Sequence, residues 1–332
     1  LFIFILKPYK KIFHIEFMKD KFQELVISAG GVKGVYFIGA LEKLNQYYPL
    51  HNFTYFTGCS AGGLLCIFLV IGYSIQEIKD IYFKINFLDF FDVKLSHLFI
   101  HGGFSKNDKL RNLFKSVFIT KNIDPQITFQ ELYIKTNKYL TVNSLNVSTG
   151  KIKYMNHVET PYMCVLEALL MTMNIPIVFG LIPFEENYYV DGAVLDPYPY
   201  NYHKNTIKFG MLIIDNDLFN VFNNIDLNNI EPNVFDNFYL IFLLIYNHYL
   251  KNFYKKKFKN TIYFKDNLNS NIIEINQNEK NVFFYEGEMK MNIFLKKKYK
   301  KNNKIFLLKK YFYLLKNLLI VHHSTNEILE TF

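Results

Sequence analysis

Gly58-Cys59-Ser60-Ala61-Gly62 is the first stretch of the sequence whose residue types could do chemistry, because it has the G-x-S-x-G spacing of an exposed serine nucleophile. A serine of that kind sits on a sharp turn between a strand and a helix. Gly58 and Gly62 let the backbone bend, and the amides opening the next helix point at developing negative charge. The same pentapeptide also serves as a plain glycine turn with a helix-capping serine, so it needs partners. A second glycine turn, Ala29-Gly30-Gly31-Val32-Lys33-Gly34, is small enough for backbone amides to approach a reacting oxygen, as an oxyanion hole requires. Dinucleotide binding fits poorly there. That register needs glycine where Ala29 stands and an acid about 20 residues on, and no Asp or Glu lies between Glu42 and Glu77. A phosphate loop fails as well, since Gly34 and Gly39 lead to Ala40 and Leu41 instead of Lys and Ser or Thr.

A serine also needs a base. His157, His203 and His248 are available, but a Ser-His-Asp hydrolase would place several strands ahead of its nucleophile, and Ser60 follows only the second detectable strand. Asp191 is the better base. It ends a short apolar strand and is followed by Gly192 and Ala193, which keep the turn open. An aspartate of ordinary pKa, about 3.9, is a weak base in water, and desolvation raises its proton affinity.

The elements around these residues are legible from periodicity. Residues 24–28 read as a strand, Val35, Ile38, Leu41 and Leu44 as one face of a helix, residues 53–57 as a second strand and 64–71 as an apolar helix. Two strand-to-helix units in succession predict a parallel sheet covered by helices. Ser74 opens a further helix. Ser105 with Asp108 and Thr128 with Glu131 have capping-box spacing. Residues 139–155 read as a hairpin, 162–173 as a helix stopped by Pro176, 188–190 as a strand running into Asp191, and 208–214 as another strand. Residues 86–104 form an irregular aromatic stretch of the kind that covers a site.

The chain of 332 residues is half apolar and carries a formal charge of +9, with Arg111 its only arginine and no tryptophan. Residues 251–332 hold 17 basic and 7 acidic groups, while the rest is nearly balanced. The excess positive charge is therefore confined to the tail, where a stripe of Ile305, Leu308, Phe312, Leu315 and Leu319 faces away from lysines. A loose boundary falls near residue 216. This divides the chain into a catalytic domain at 19–215 and a basic, largely helical extension at 216–332, with residues 251–332 expected to touch anionic membrane. Cys59, Cys66 and Cys164 have no metal-like spacing, so neither a metal nor a disulfide framework is expected. Leu1–Leu6 is too short for a signal core or a spanning helix. The sequence opens on Leu1, and Met18 is a candidate start. A cytoplasmic or peripheral membrane location is expected.

The ordered set of glycine turn, serine elbow and late Asp-Gly-Ala resembles the patatin-like phospholipase family. The resemblance runs over residues 22–215 and includes Thr128–Leu132 (TFQEL), Asn146–Gly150 (NVSTG), Ile175-Pro176 and Asp196–Pro199 (DPYP). It implies a three-layer α/β/α fold with a mostly parallel sheet, a Ser60/Asp191 dyad without histidine, and hydrolysis of phospholipid acyl esters through an acyl-enzyme with no cofactor. The amides of Gly30, Gly31 and Val32 would hold the oxyanion. Lys33 stands where the family has Arg or Lys, and Ala29 replaces its first glycine. The other readings are a non-catalytic lipid-binding protein on the same fold and, from the basic tail, a nucleic-acid-associated factor; nucleic acid is not expected as a partner.

Overall fold

A strand with helices on both faces is buried along its whole length, as residues 24–27 are, and the one charged member, Glu24, is met there by Thr57 Oγ1 at 2.7 Å and by Lys208. The computed structural model describes residues 22–86, 89, 105, 107–176, 178–214, 245–246, 248–265 and 275–298. Its strands are β1 (Glu24–Ile27), β2 (Tyr55–Gly58), β3 (Tyr139–Asn146), β4 (Lys151–Met155), β5 (Ile182–Phe184), β6 (Asn187–Asp191), β7 (Lys208–Ile214) and β8 (Thr261–Lys265). Between them run α1 (Val35–Asn45), α2 (Ala61–Val70), α3 (Ile75–Lys84), α4 (Asp108–Thr120), α5 (Phe129–Thr136) and α6 (Val165–Thr172). Residues 248–254 and 277–298 are also helical.

The strands form one sheet in the order β5-β6-β3-β2-β1-β7-β8, with β4 paired to β3. The pairs β3–β2, β2–β1, β1–β7 and β7–β8 are parallel, whereas β4, β5 and β6 join antiparallel. Side chains alternate across the sheet as the strand period requires. Leu25 and Ile27 of β1, with Phe209, Met211 and Ile213 of β7, enter the main core shared with α1, α2 and α6. Val26 and Leu212 point the other way, onto Tyr198 and Phe253. The expected three layers are present, and helical residues 248–254 supply part of the third.

The sheet also crosses the boundary placed near residue 216. β8 lies beyond that point and pairs with β7 from Gly210↔Thr261 to Ile214↔Lys265. Without it, β7 would present a bare row of amides and carbonyls. Residues 277–298 pack back on α1, with Phe283 stacked on Tyr36 at a ring separation of 4.5 Å. The described residues of the tail therefore pack on the sheet and α1 and are not solely helical. The stripe expected at 305–319 and nearly all of the 86–104 stretch lie outside the described residues.

Two helix starts fall where the sequence puts them. Ser74 with Glu77 and Thr128 with Glu131 form complete capping boxes. Ser105 does not cap α4. Its amide donates to Val178 O at 2.8 Å, and the helix begins behind Asn107 without a side-chain cap. The serine's backbone is held in a bridge to Phe179, which takes it out of the capping position.

The contact between α1 and residues 277–298 is close enough to exclude any side chain. A Cβ on Gly39 would lie 2.0 Å from Phe284 O, and one on Gly287 would lie 2.2 Å from Tyr36 O. Both obstacles are backbone and cannot swing aside. Gly287→Ala is expected to lower stability by about 1–3 kcal/mol, the usual range for overpacking, read as a fall in the urea midpoint. An unchanged midpoint would mean that the two helices do not meet there.

Candidate active site

The site begins with a change of neighbour along β3. Val142 pairs with Gly58 of β2 and with Met155 of β4, while Ser144 pairs with Asp191 of β6 and with Lys153 of β4. Since β4 holds one edge across both positions, β2 and β6 must follow each other along the opposite edge. β2 arrives from one end and stops at Gly58; β6 arrives from the other and stops at Asp191. Their ends meet about 7 Å apart along β3, two residues of strand rise.

Beyond Gly58 the chain turns through Cys59 into Ser60, whose backbone angles, φ 53° and ψ −123°, put a serine in a region that few non-glycine residues enter. Such a conformation costs about 1–3 kcal/mol and persists only where its surroundings impose it. Here the first turn of α2 is pressed onto the end of β1. A Cβ on Gly62 would stand 2.4 Å from both Ile27 O and Ser28 O, and one on Gly58 would stand 2.5 Å from the Gly62 carbonyl. These two glycines are the flanks of the pentapeptide, and the closeness of helix to strand is why they are glycine.

Asp191 ends β6 and is followed by a 3-10 turn, Gly192–Val194. One carboxylate oxygen, Oδ1, accepts from the Ala193 amide at 2.8 Å and from Cys59 Sγ at 3.7 Å. The Ser60 hydroxyl lies near enough to the carboxylate to draw its pKa down. Asp191 is only 3 % exposed, and burial pushes its pKa up to about 6 against the downward pull of these three groups. The Cys59 thiol is pushed up by burial and by the charge of Asp191, so it stays protonated and able to donate.

The glycine turn lies beside this elbow. Gly31–Gly34 form a 3-10 turn, entered with Gly31 at φ 52°. The amides of Gly30, Gly31 and Val32 stand at its start, where no earlier turn supplies carbonyls to them. The Ala29 amide is tied to Pro197 O at 2.8 Å. A Cβ on Gly34 would touch Ala61 Cβ at 3.6 Å, ordinary contact, so Gly34 is set against the residue that follows Ser60. Lys33 is buried.

The histidines are elsewhere. His203 sits against Tyr55 and Tyr202, its Nε2 3.3 Å from Thr141 Oγ1, with its pKa pushed down to about 4 by burial. His157 stacks on Tyr133 at 4.2 Å. His248 is exposed beside Asn252. Among the described residues no histidine hydrogen-bonds to Ser60 or Asp191, and no group of three or more His, Cys, Asp or Glu side chains could hold a metal ion.

Asp196, which opens the DPYP stretch, and several residues that the sequence did not single out also surround the site. Thr172 Oγ1 accepts from the Ser60 amide at 3.0 Å, and Asn174 O accepts from the Asp191 amide at 2.8 Å. Asp196 receives the Tyr154 hydroxyl at 2.8 Å, and its main-chain oxygen receives Asn143 Nδ2 at 2.9 Å. Tyr246 donates to Ala193 O at 3.0 Å and Tyr249 to Leu195 O, so residues beyond 216 hold the turn that follows Asp191. A polar Thr172 closing the apolar run of α6 was the one visible signal.

The family model described as Patatin-like phospholipase matches residues 25–202, which contain both Ser60 and Asp191. The chain belongs to the patatin-like phospholipase family. Among its relatives is a protein of Invertebrate iridescent virus 6 named "Probable lipid hydrolase 463L", 29% identical over 232 residues that cover 67% of this chain and 79% of that one. Another is "Uncharacterized protein R571" of Acanthamoeba polyphaga mimivirus, 28% identical over 185 residues; the match covers 54% of this chain and 61% of that protein, less than two thirds of its length. The solved structure of VipD from Legionella pneumophila superposes with a TM-score of 0.61 over 83% of this chain and 67% of that one at 14% identity, a likeness of fold. The matched patatin-like segment ends ahead of β7, so β7, β8 and the helical residues beyond lie outside it.

A carboxylate accepts a proton only when ionised. With Asp191 near 6, kcat/KM on an uncharged ester is expected to rise with pH through about 6 and to level off above it, following the free-enzyme base. A profile that stays flat down to about pH 4.5 would remove Asp191 from that role.

Proposed function

We infer that this chain hydrolyses fatty acyl esters of phospholipids by a phospholipase A-type reaction, with Ser60 as nucleophile and Asp191 as its only base. The observation that carries this reading is the meeting of β2 and β6 end to end, which sets a buried, proton-avid carboxylate beside a serine in a forced backbone conformation. Membership of the patatin-like family and the name of the iridescent virus relative support lipid as the substrate class.

In the first half-reaction Ser60 Oγ forms a bond to the ester carbonyl carbon while its proton passes to Asp191. The carbonyl electron pair moves onto oxygen, where the amides of Gly30, Gly31 and Val32 stabilise it. Collapse breaks the bond to the leaving alkoxide, which takes the proton from Asp191 and departs as the lysolipid alcohol. In the second half, water attacks the acyl-serine and gives its proton to Asp191. The fatty acid leaves, and the proton returns to Ser60 Oγ.

Substrate in a bilayer requires the enzyme to reach a surface. Lys251, Lys255, Lys256, Lys257 and Lys259 are exposed in one short stretch, and the charge of Lys256 acts on Asp196, five residues after the proposed base. Positive charge on this stretch would favour an anionic lipid surface. Among the described residues no helix is long and apolar enough to cross a membrane. Removing residues 251–332 would take away β8, so charge reversal is the cleaner intervention. The triple variant Lys255→Glu, Lys257→Glu and Lys259→Glu is expected to lose co-sedimentation with phosphatidylserine vesicles at low salt while keeping turnover of a soluble short-chain ester. Undiminished vesicle binding would exclude this stretch from the contact.

Ser60→Ala is expected to reduce phospholipid hydrolysis by roughly 10⁴-fold or more, the scale for loss of a covalent nucleophile. Asp191→Asn should be about as damaging, because nucleophile and base act as a unit. His157→Ala, His203→Ala and His248→Ala should each retain most activity when folded. Fatty acid release measured by mass spectrometry on a phospholipid panel decides the matter. A folded histidine variant without activity, or an active Ser60→Ala, would sink the dyad.

A further inference from the structure

Both halves of the proposed dyad are anchored to one three-residue segment at the end of α6. Thr172 is fully buried, and its Oγ1 accepts the Ser60 amide at 3.0 Å. The neighbouring Cys59 thiol donates to Asp191 Oδ1 at 3.7 Å. Two residues beyond Thr172, Asn174 is 1 % exposed. Its main-chain oxygen accepts the Asp191 amide at 2.8 Å. Its side-chain Nδ2 donates to Tyr189 O at 3.0 Å and to Gly180 O at 2.9 Å, and its Oδ1 accepts from Asn107 at 3.2 Å. Asn174 thus grips β6 at Tyr189 and Asp191, while Thr172 grips the elbow at Ser60.

These bonds matter because the sheet alone does not fix the spacing of the two ends. β2 and β6 are each paired to β3, but neither is paired to the other. Ser60 lies two residues past the last residue of β2, in a backbone conformation that relaxes unless its amide is held. We propose that Thr172 and Asn174 are positioning residues that form a bracket between nucleophile and base, with the Thr172 hydroxyl holding the Ser60 amide and Asn174 holding the end of β6. The bracket acts through Ser60 and Asp191 and touches no substrate. It is rigid because Thr172 closes a helix packed against β3, β6 and α2. Displacing one reacting group by about 1 Å is enough to cost on the order of 100-fold in rate. The hydroxyl of Thr172 is therefore worth far more to turnover than its single hydrogen bond is to stability.

The inference rests on the dyad reading, and one experiment separates the two. The second-order rate of labelling by a fluorophosphonate is measured for the wild-type chain and for Ser60→Ala, Thr172→Val, Thr172→Ser and Asn174→Ala, beside urea unfolding of each and kcat and KM on a short-chain ester. Thr172→Val keeps the shape and removes the hydroxyl; Thr172→Ser keeps the hydroxyl and removes a methyl. The bracket predicts that Thr172→Val labels roughly 10- to 100-fold more slowly, with kcat reduced and KM little changed. Thr172→Ser should label within about threefold of wild type even if it is the less stable of the two, since it retains the hydrogen bond and loses packing. Asn174→Ala should likewise lose kcat and not KM. Wild-type labelling by Thr172→Val overturns the bracket and leaves the dyad standing. Labelling rates that follow stability across the set, with Thr172→Ser as impaired as Thr172→Val, make the role merely structural and also overturn it. If Thr172→Val fails to fold, the comparison of Thr172→Ser with Asn174→Ala decides: labelling near wild type in the first and slowed in the second supports the bracket, and the reverse overturns it. An unlabelled wild-type chain, or labelling that survives Ser60→Ala, defeats the dyad reading itself.

Discussion

Strand β3 is longer than the strand beside it, and that difference in length is the constraint on which the site depends. β2 accompanies β3 only as far as Val142. From Ser144 onward the same edge must be satisfied by something else, because a buried strand cannot leave its amides and carbonyls unpaired. β6 meets that need by entering antiparallel, and it stops at Asp191 because the space beyond is filled by the end of β2. An ordinary requirement of sheet hydrogen bonding thereby sets an aspartate and a serine elbow tip to tip. The desolvation that raises the proton affinity of Asp191 follows from the same geometry, since both strand ends finish inside the core.

Around that junction the chain uses three devices to hold what the sheet does not. Glycines at 58 and 62 let α2 approach the end of β1 until only backbone fits between them. The end of α6 bonds to the Ser60 and Asp191 amides. Tyrosines 246 and 249 fasten the turn after Asp191 from the far side. The last device comes from beyond the segment shared with the patatin-like family, as do β7, β8 and the helical residues 277–298. The C-terminal part of the chain is therefore part of the site's frame as well as the carrier of the chain's excess positive charge.

Much of this was legible in the sequence, for physical reasons that can be named. The strands at 24–27 and 55–58, the elbow between 58 and 62 and the strand ending at Asp191 all announce themselves through local patterns: apolar runs that stop at glycine, and glycines at fixed offsets. Capping at Ser74 and Thr128 is equally local. What was missed depends on contacts remote in sequence. β8 is a five-residue strand in Asn- and Lys-rich surroundings, and its partner β7 lies some 50 residues back, so nothing nearby marks it as the edge of the sheet. Helical residues 277–298 hide their packing face behind Gly287, which reads locally as a helix breaker. Asn174 looked like a polar residue before Ile175-Pro176; only the approach of β6 gives it a role. The spacing of Ser105 and Asp108 imitated a capping box because spacing carries no information about where the backbone of Ser105 is engaged.

The central claim is that a covalent acyl-serine forms at Ser60 and that Asp191 is needed both to make it and to resolve it. Mass spectrometry on peptides from protein quenched during turnover of an activated acyl ester tests this most directly. The account predicts one acyl adduct, on the peptide that carries Ser60, present in the wild-type chain, absent from Ser60→Ala, and strongly reduced in Asp191→Asn. An adduct on any other residue, or ester turnover that proceeds at the wild-type rate with no adduct in any quenched sample of Ser60→Ala, would contradict it.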